Sequence, residues 1–163
     1  MRFVSAAHDL ALALLVGGLA GVFVSVGTLF ARAPTREIAG QVGNAIFGRL
    51  APAAVLLAAI VLGARLRLHR GEPASARRSL ALVLAAAIAL TVAAAALYLT
   101  PRMSAIWTAA PHAADGSGLA GEDKVHFLRL HILSNLSYLA ALLAGIALIL
   151  AGAIVPSPRG PRR

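Results

Sequence analysis

Uncharged apolar runs dominate the chain and set its elements. Leu10–Ala31 is 22 residues without a charge, Ser79–Pro101 is 23, and Ile132–Pro158 is 27, with Pro156 ending its usable helix. A fourth run, Leu50–Ala64, is 15 residues between Arg49 and Arg65, and it extends backward without charge through Ile38–Gly48. About 20 apolar residues at ~1.5 Å rise cross a hydrocarbon core of about 30 Å. The pattern therefore predicts four membrane-spanning helices, over about residues 9–31, 45–66, 79–101 and 130–155. The fold class is an all-α integral membrane protein. We expect one four-helix transmembrane bundle over residues 1–163. The first run is long for the apolar core of a signal peptide, so a retained helix is expected there.

Composition narrows the class further. Hydrophobic residues make up 60% of the 163 positions and charged residues 13%, with a mean hydropathy of +0.83. Soluble domains carry about 45–50% apolar and about 25% charged residues. The chain has no cysteine, which excludes disulfides, thiol catalysis, Cys-ligated zinc and iron–sulfur clusters. The formal net charge is +9, but its distribution points to membrane topology. Nine basic residues fall on one side: Arg2, Arg65, Arg67, Arg70, Arg77, Arg78, Arg159, Arg162 and Arg163. The other side carries Arg32, Arg36, Arg49, Arg102, Lys124 and Arg129, offset by Glu37, Asp115, Glu122 and Asp123. Under the positive-inside rule both termini and the middle connection are cytoplasmic, in a bacterial inner membrane. Contact with the lipid bilayer accounts for the basic residues, and no nucleic-acid-binding module accompanies them.

Small residues are abundant, with 38 alanines and 15 glycines. In lipid such residues let helix backbones approach. Ala13, Gly17, Gly21 and Ser25 recur every four residues on the first helix. We expect that stripe to pack inside the bundle, with a homo-oligomer seam as the alternative. Phe47-Gly48-Arg49-Leu50 and Phe127-Leu128-Arg129-Leu130 lead into the second and fourth spans and suggest two helical hairpins repeated in parallel. Residues Met103–Gly121 read as an irregular loop in which Trp107 anchors at the interface. Glu122 and Asp123 then open a helix, matching the positive end of its dipole, that runs unbroken into the fourth span.

Candidate chemistry sits at the ends of the spans. No Asp or Glu lies within them, which argues against a carboxylate proton relay. His131, Ser134, Asn135 and Tyr138 share one face of the fourth helix. Thr91, Ala95, Tyr98 and Arg102 align on the third. Gln41, Asn44 and Arg49 lie on the second, and Ser25, Thr28 and Arg32 on the first. All lie toward the outer side, where unpaired polar groups must meet one another, water or a ligand. We therefore expect Arg49, Tyr98, Arg102, His131, Asn135 and Tyr138 to form an inward-facing, ligand-binding cluster. No catalytic set and no metal site is legible. His126 and His131 diverge by about 140° on a helix of ~3.6 residues per turn, and His8 lies across the membrane.

Short patterns spread over residues 10–150 carry a family resemblance. They are Gly17-Gly18, Leu29-Phe30 and Pro34; Ala39-Gly40 and Phe47-Gly48-Arg49; Tyr98-Leu99-Thr100-Pro101; and Phe127-Leu128-Arg129-Leu130-His131 with Asn135. Together they make the chain resemble the bacterial branch of the transmembrane protein 205-like family, a four-span domain of unassigned function. That family is distantly similar to the copper-resistance protein D group, which includes haem-binding membrane proteins. The resemblance implies a four-helix bundle and brings in haem, for which His131 is the axial candidate. The chain departs from that group in lacking paired histidines at one depth. Three functions fit the sequence. In order, they are a non-enzymatic binding or transport-related protein holding an amphipathic or anionic ligand, such as a lipid, in an outer-leaflet pocket; an accessory subunit of a larger membrane complex; and a haem-binding electron-transfer protein.

Overall fold

Local signals start each helix where the apolar runs need one. The Thr35 side chain accepts the Ile38 backbone N–H at 3.2 Å and caps α2 (Arg36–His69), with Glu37 in its first turn. Ser75 caps α3 (Ala76–Ala93) by accepting from the Arg78 N–H at 3.4 Å. Gly121, at φ +61°, makes the turn into α5 (Gly121–Ala153), a backbone conformation that costs a side-chain-bearing residue. Glu122 and Asp123 occupy the first turn of α5, which runs unbroken into the fourth span as expected. The computed structural model describes residues 2–70, 75–110 and 119–153. The tail arginines, His112, Asp115 and the last residues expected of the fourth span lie outside the described residues.

The four expected spans are present, and each is longer than its apolar run. α1 (Arg2–Arg32) has 31 residues and α2 has 34, about 46 Å and 51 Å of helix. α2 passes through Pro52 without ending. The third span does not stop at Pro101. It continues from α3 through a π-helical segment (Ala94–Leu99) into α4 (Thr100–Ala109). Trp107 therefore sits on a helix and not in an irregular loop. All four spans are long and apolar enough to cross a membrane. Exposed apolar side chains run along them, with Val24 and Leu90 each 72% accessible. Water would not tolerate apolar surface on that scale, and lipid requires it. The fold is an all-α, multi-pass membrane protein.

α1 packs on α2, α2 on α3, α3 on α5, and α5 closes the ring on α1. The inward faces are built from small and branched residues at helical spacing. They are Ala11, Leu12, Leu15 and Leu19 on α1; Ala58 and Val61 on α2; Ala81, Ala85, Ile88 and Val92 on α3; Tyr138, Ala141 and Leu148 on α5. Ile88, Val92, Val61 and Leu148 are the largest fully buried side chains. One small-residue contact is decisive. A Cβ on Gly145 would lie 2.5 Å from Val16 Cγ2, so the hydrogen at Gly145 is what lets α1 seat against α5.

The stripe expected to pack internally does not. Ala13, Gly17, Gly21 and Ser25 are all exposed, and Gly17 and Gly21 have open space where a Cβ would go. The buried face of α1 is instead that of His8, Ala11, Leu12, Leu15 and Leu19. Gly145→Leu is therefore expected to destabilise the bundle by about 1–3 kcal/mol through overpacking. Gly17→Ala should be neutral, or stabilising by up to about 1 kcal/mol from helix propensity. Thermal unfolding of both variants in one detergent checks the pair. Equal losses would mean that α1 is rotated from the phase described.

Candidate functional site

The irregularity in the third span follows from one residue. Pro101 has no N–H to give, and in a regular helix its ring collides with the carbonyl four residues back. The chain widens by one residue before it. The Thr100 N–H reaches the Ala95 carbonyl, and the Thr100 hydroxyl donates to the same oxygen at 2.9 Å. Thr100 is buried, and its side chain also pairs with the Tyr138 hydroxyl of α5. A proline inside a span is tolerated where Ser/Thr side chains and a local π turn take up the freed backbone groups. The widened turn sets the phase of α4. Ser104 Oγ meets Asn44 Nδ2 of α2 at 3.4 Å, and Trp107 turns onto the backbone of α2 at Gly40.

Around this turn lies a cavity of about 350 Å³ at the end of the bundle opposite the arginine-rich connection. Val26 and Phe30 enter from α1, and Gly40, Gly43, Asn44 and Phe47 from α2. Thr100, Met103 and Trp107 enter from α4, and Lys124, Phe127, Leu128 and His131 from α5, with Leu119 just before it. Aromatic rings form its frame. Trp107 and Phe127 stand 5.6 Å apart at 49°, and Phe127 stacks on His131 at 5.9 Å and 11°. Phe47 stacks on the buried Tyr138 at 5.9 Å and 21°. Phe47 and Phe127 are the equivalent residues of the two tetrapeptides that suggested a repeat, and both line this one space.

The sequence-based cluster divides in two. His131, Asn135 and Tyr138 lie on one face of α5, where Tyr138 is buried and the other two are half-buried. His131 Nε2 and Asn135 Nδ2 are 3.1 Å apart. With the amide donating, Nε2 accepts and the ring proton sits on Nδ1. Arg49, Tyr98 and Arg102 do not face the interior, contrary to the expectation. All three are exposed, and the Arg102 guanidinium lies over the Tyr98 ring at 4.2 Å. Some of the other polar residues need no shared site. Thr28, Thr91 and Ser137 each donate to a carbonyl of their own helix.

Sequence reasoning did not assign Phe47, Phe127, Thr100, Lys124 or Gly40 to the site. The Thr-Pro pair in mid-span was the available signal for Thr100. Gly40 stood out only with Ala39 in the family patterns, not as a site residue; a Cβ there would lie 2.5 Å from Trp107 Cη2. The arrangement does not fit an axial haem ligand. His131 Nε2 is engaged by Asn135, its ring is stacked against Phe127, and His126 is exposed. Among the described residues no group of three His, Cys, Asp or Glu side chains gathers to hold a metal ion.

Residues 10–112 match the family described as Domain of unknown function (DUF4149). The chain belongs to this family. No curated protein and no solved structure matches it. The DUF4149 stretch supplies Gly40, Asn44, Phe47, Thr100 and Trp107, while α5 with Phe127, His131, Asn135 and Tyr138 follows it.

Two measurements check the geometry. Trp107 is the only tryptophan, so fluorescence reports on it alone. Gly40→Ala should push the indole off α2 and red-shift its emission, and an unchanged spectrum would contradict the contact. Thr100→Val and Tyr138→Phe should each cost about 0.6–1.7 kcal/mol of unfolding free energy in detergent. Because they share one bond, the double variant should lose less than the sum.

Proposed function

We propose that this DUF4149 protein is a non-enzymatic membrane binding protein, of a transport-related kind. It holds an amphipathic molecule with an acidic head in the aromatic-framed cavity. The observation that carries the reading is the make-up of that cavity. Phe30, Phe47, Trp107 and Phe127 offer flat apolar surface, and Lys124 is the one cation lining it among the described residues. Small-molecule sites have this make-up, with volumes of about 300–1,000 Å³, mostly apolar walls and a few placed polar groups. An acyl or similar apolar body would lie among the rings. Its carboxylate or phosphate would pair with Lys124, with Asn44 and His131 offering further polar contact.

Of the residues first expected to bind, His131 keeps a direct role. Asn135 and Tyr138 act as supports, holding His131 and Phe47 respectively. Arg49, Tyr98 and Arg102 face outward and belong with the surrounding lipid, their long side chains suited to reach headgroups. The excess of arginine at the other end supports an orientation with that end in the cytoplasm of a bacterial cell. The cavity would then open toward the outer leaflet. Kinship to the transmembrane protein 205-like proteins is the finer family reading that accompanies this function.

The test uses Trp107 as reporter and dibrominated stearate as probe, because bromine quenches indole on contact. Quenching should saturate, and undecorated stearate should reverse it by competition. Lys124→Gln should weaken the acid by about tenfold, the worth of one charge-assisted contact, and leave the corresponding fatty alcohol unchanged. Linear, non-saturating quenching would indicate partition into the detergent and defeat the proposal. So would a Lys124→Gln loss that is the same for acid and alcohol.

A further inference from the structure

A groove of about 530 Å³ lies between α2 and the third span, beside the aromatic cavity. Gly48, Pro52 and Val55 of α2 form one wall, and Ala96, Leu97 and Pro101 of the third span form the other. The space exists because a glycine and a proline on one helix share it with an alanine and a proline on the next. Gly48, Pro52, Leu97 and Pro101 are exposed, so the groove opens sideways onto the surrounding lipid. No charged side chain lines it among the described residues. Asn44 and Thr100 line both spaces and form the partition between groove and aromatic cavity. Along that partition the Asn44 amide donates to the Ser104 hydroxyl at 3.4 Å, longer than the ~2.9–3.0 Å typical of an N–H···O bond. α4 holds to α2 by this bond and by Trp107 on Gly40, whereas α3 packs along α2.

The groove runs in the direction a lipid chain would take. From Asn44 to Val55 on α2, and from Ser104 back to Ala96 on the third span, both walls lead away from the aromatic cavity toward mid-span. Along α2 that is about three turns, ~16 Å at ~1.5 Å per residue, or about half of a ~30 Å hydrocarbon core. The aromatic cavity, at about 350 Å³, lies at the small end of ligand sites of about 300–1,000 Å³. It suits a head group and the first part of a chain. An amphiphile that arrived through water would expose its chain on the way, whereas one that slides in along the groove never leaves hydrocarbon. We propose that the groove is the lateral entrance to the aromatic cavity and the seat of its ligand's tail. A long, single-chain acid enters from the bilayer between α2 and α4, and the Asn44–Ser104 bond opens to admit it. This rests on the reading of the aromatic cavity as a site for an amphipathic acid.

The test titrates two probes against Trp107 fluorescence, with the full-length protein in lipid nanodiscs. They are stearate and octanoate, each brominated beside its carboxylate. Octanoate ends within the aromatic cavity, and stearate reaches the groove. Gly48 has open space where a Cβ would go, so Gly48→Leu fills the groove without displacing protein. It should weaken stearate about tenfold, the scale of a misfit in an apolar pocket, and leave octanoate unchanged. Leu97→Phe on the opposite wall should do the same, and carries the test if Gly48→Leu does not fold. Ala53→Leu adds bulk at an exposed position of α2 outside the groove and should change neither probe. Ser104→Ala removes the latch and should speed stearate association and dissociation several-fold in stopped flow. Saturable binding of both acids with no chain-length-selective loss on Gly48→Leu or Leu97→Phe would overturn the entrance and leave the cavity reading standing. Unchanged rates in Ser104→Ala would contradict the opening step. A Gly48→Leu change that splits a wild-type dimer without weakening stearate would give the groove to a second copy and overturn the proposal. No saturable quenching by either acid would defeat the cavity reading itself, and the entrance with it.

Discussion

Pro101 cannot donate an N–H, and in lipid there is no water to take up the carbonyl it strands. Much of the architecture at one end of this bundle follows from how that defect is absorbed. The turn before the proline widens, and Thr100 closes it with both its N–H and its hydroxyl on the Ala95 carbonyl. Tyr138 of α5 then pairs with Thr100, which locks the widened turn to a neighbouring span. The extra residue in the turn rotates everything that follows. Ser104 arrives at Asn44, and Trp107 arrives over Gly40 and beside Phe127. A straight helix would place a different set of side chains at those positions. The aromatic cavity is therefore a consequence of a backbone repair as much as of the residues that line it.

The two ends of the molecule are built on different physics. At the end with the widened turn, large rings line the cavity, and the polar groups are few and mostly neutral. At the other end a smaller space is lined by Arg65, His69 and Arg78. Between them the helices touch through alanine, valine and glycine, and Gly145 sets how near α1 can come to α5. A tightly packed middle thus separates two chemically distinct ends.

The spans were legible in the sequence because length and charge-free runs are what a bilayer demands. The phase of each helix was much less so. A spanning helix is apolar all round, so hydrophobicity does not tell its inward face from its lipid face. The Ala13–Gly17–Gly21–Ser25 stripe looked like an interface and faces outward, because the contact that needs a small residue is made at Gly145. Arg49, Tyr98 and Arg102 looked inward-facing by depth alone, but a long cationic side chain at that depth can equally serve the surface. His131, Asn135 and Tyr138 were legible because three polar residues on one helical face have few alternatives in lipid. Trp107 was misplaced because the irregular composition that follows Ala109 suggested that the helix had already ended. The π turn itself was hidden, since its cause is a single Thr-Pro pair and its effect is a rotation, which no composition records.

The central claim is that the widened turn sets the phase of α4 against α2, and the absence of native cysteine makes it directly measurable. Cysteine placed at Asn44 can be paired in turn with cysteine at Met103, Ser104 or Ala105, and cross-linked in lipid nanodiscs with a short thiol-specific linker. The account predicts the fastest cross-link for the Asn44–Ser104 pair and essentially none for Asn44–Ala105, whose second position is exposed. A cross-link that forms faster through Met103 than through Ser104 would mean that the third span continues as a regular helix, and would contradict the account.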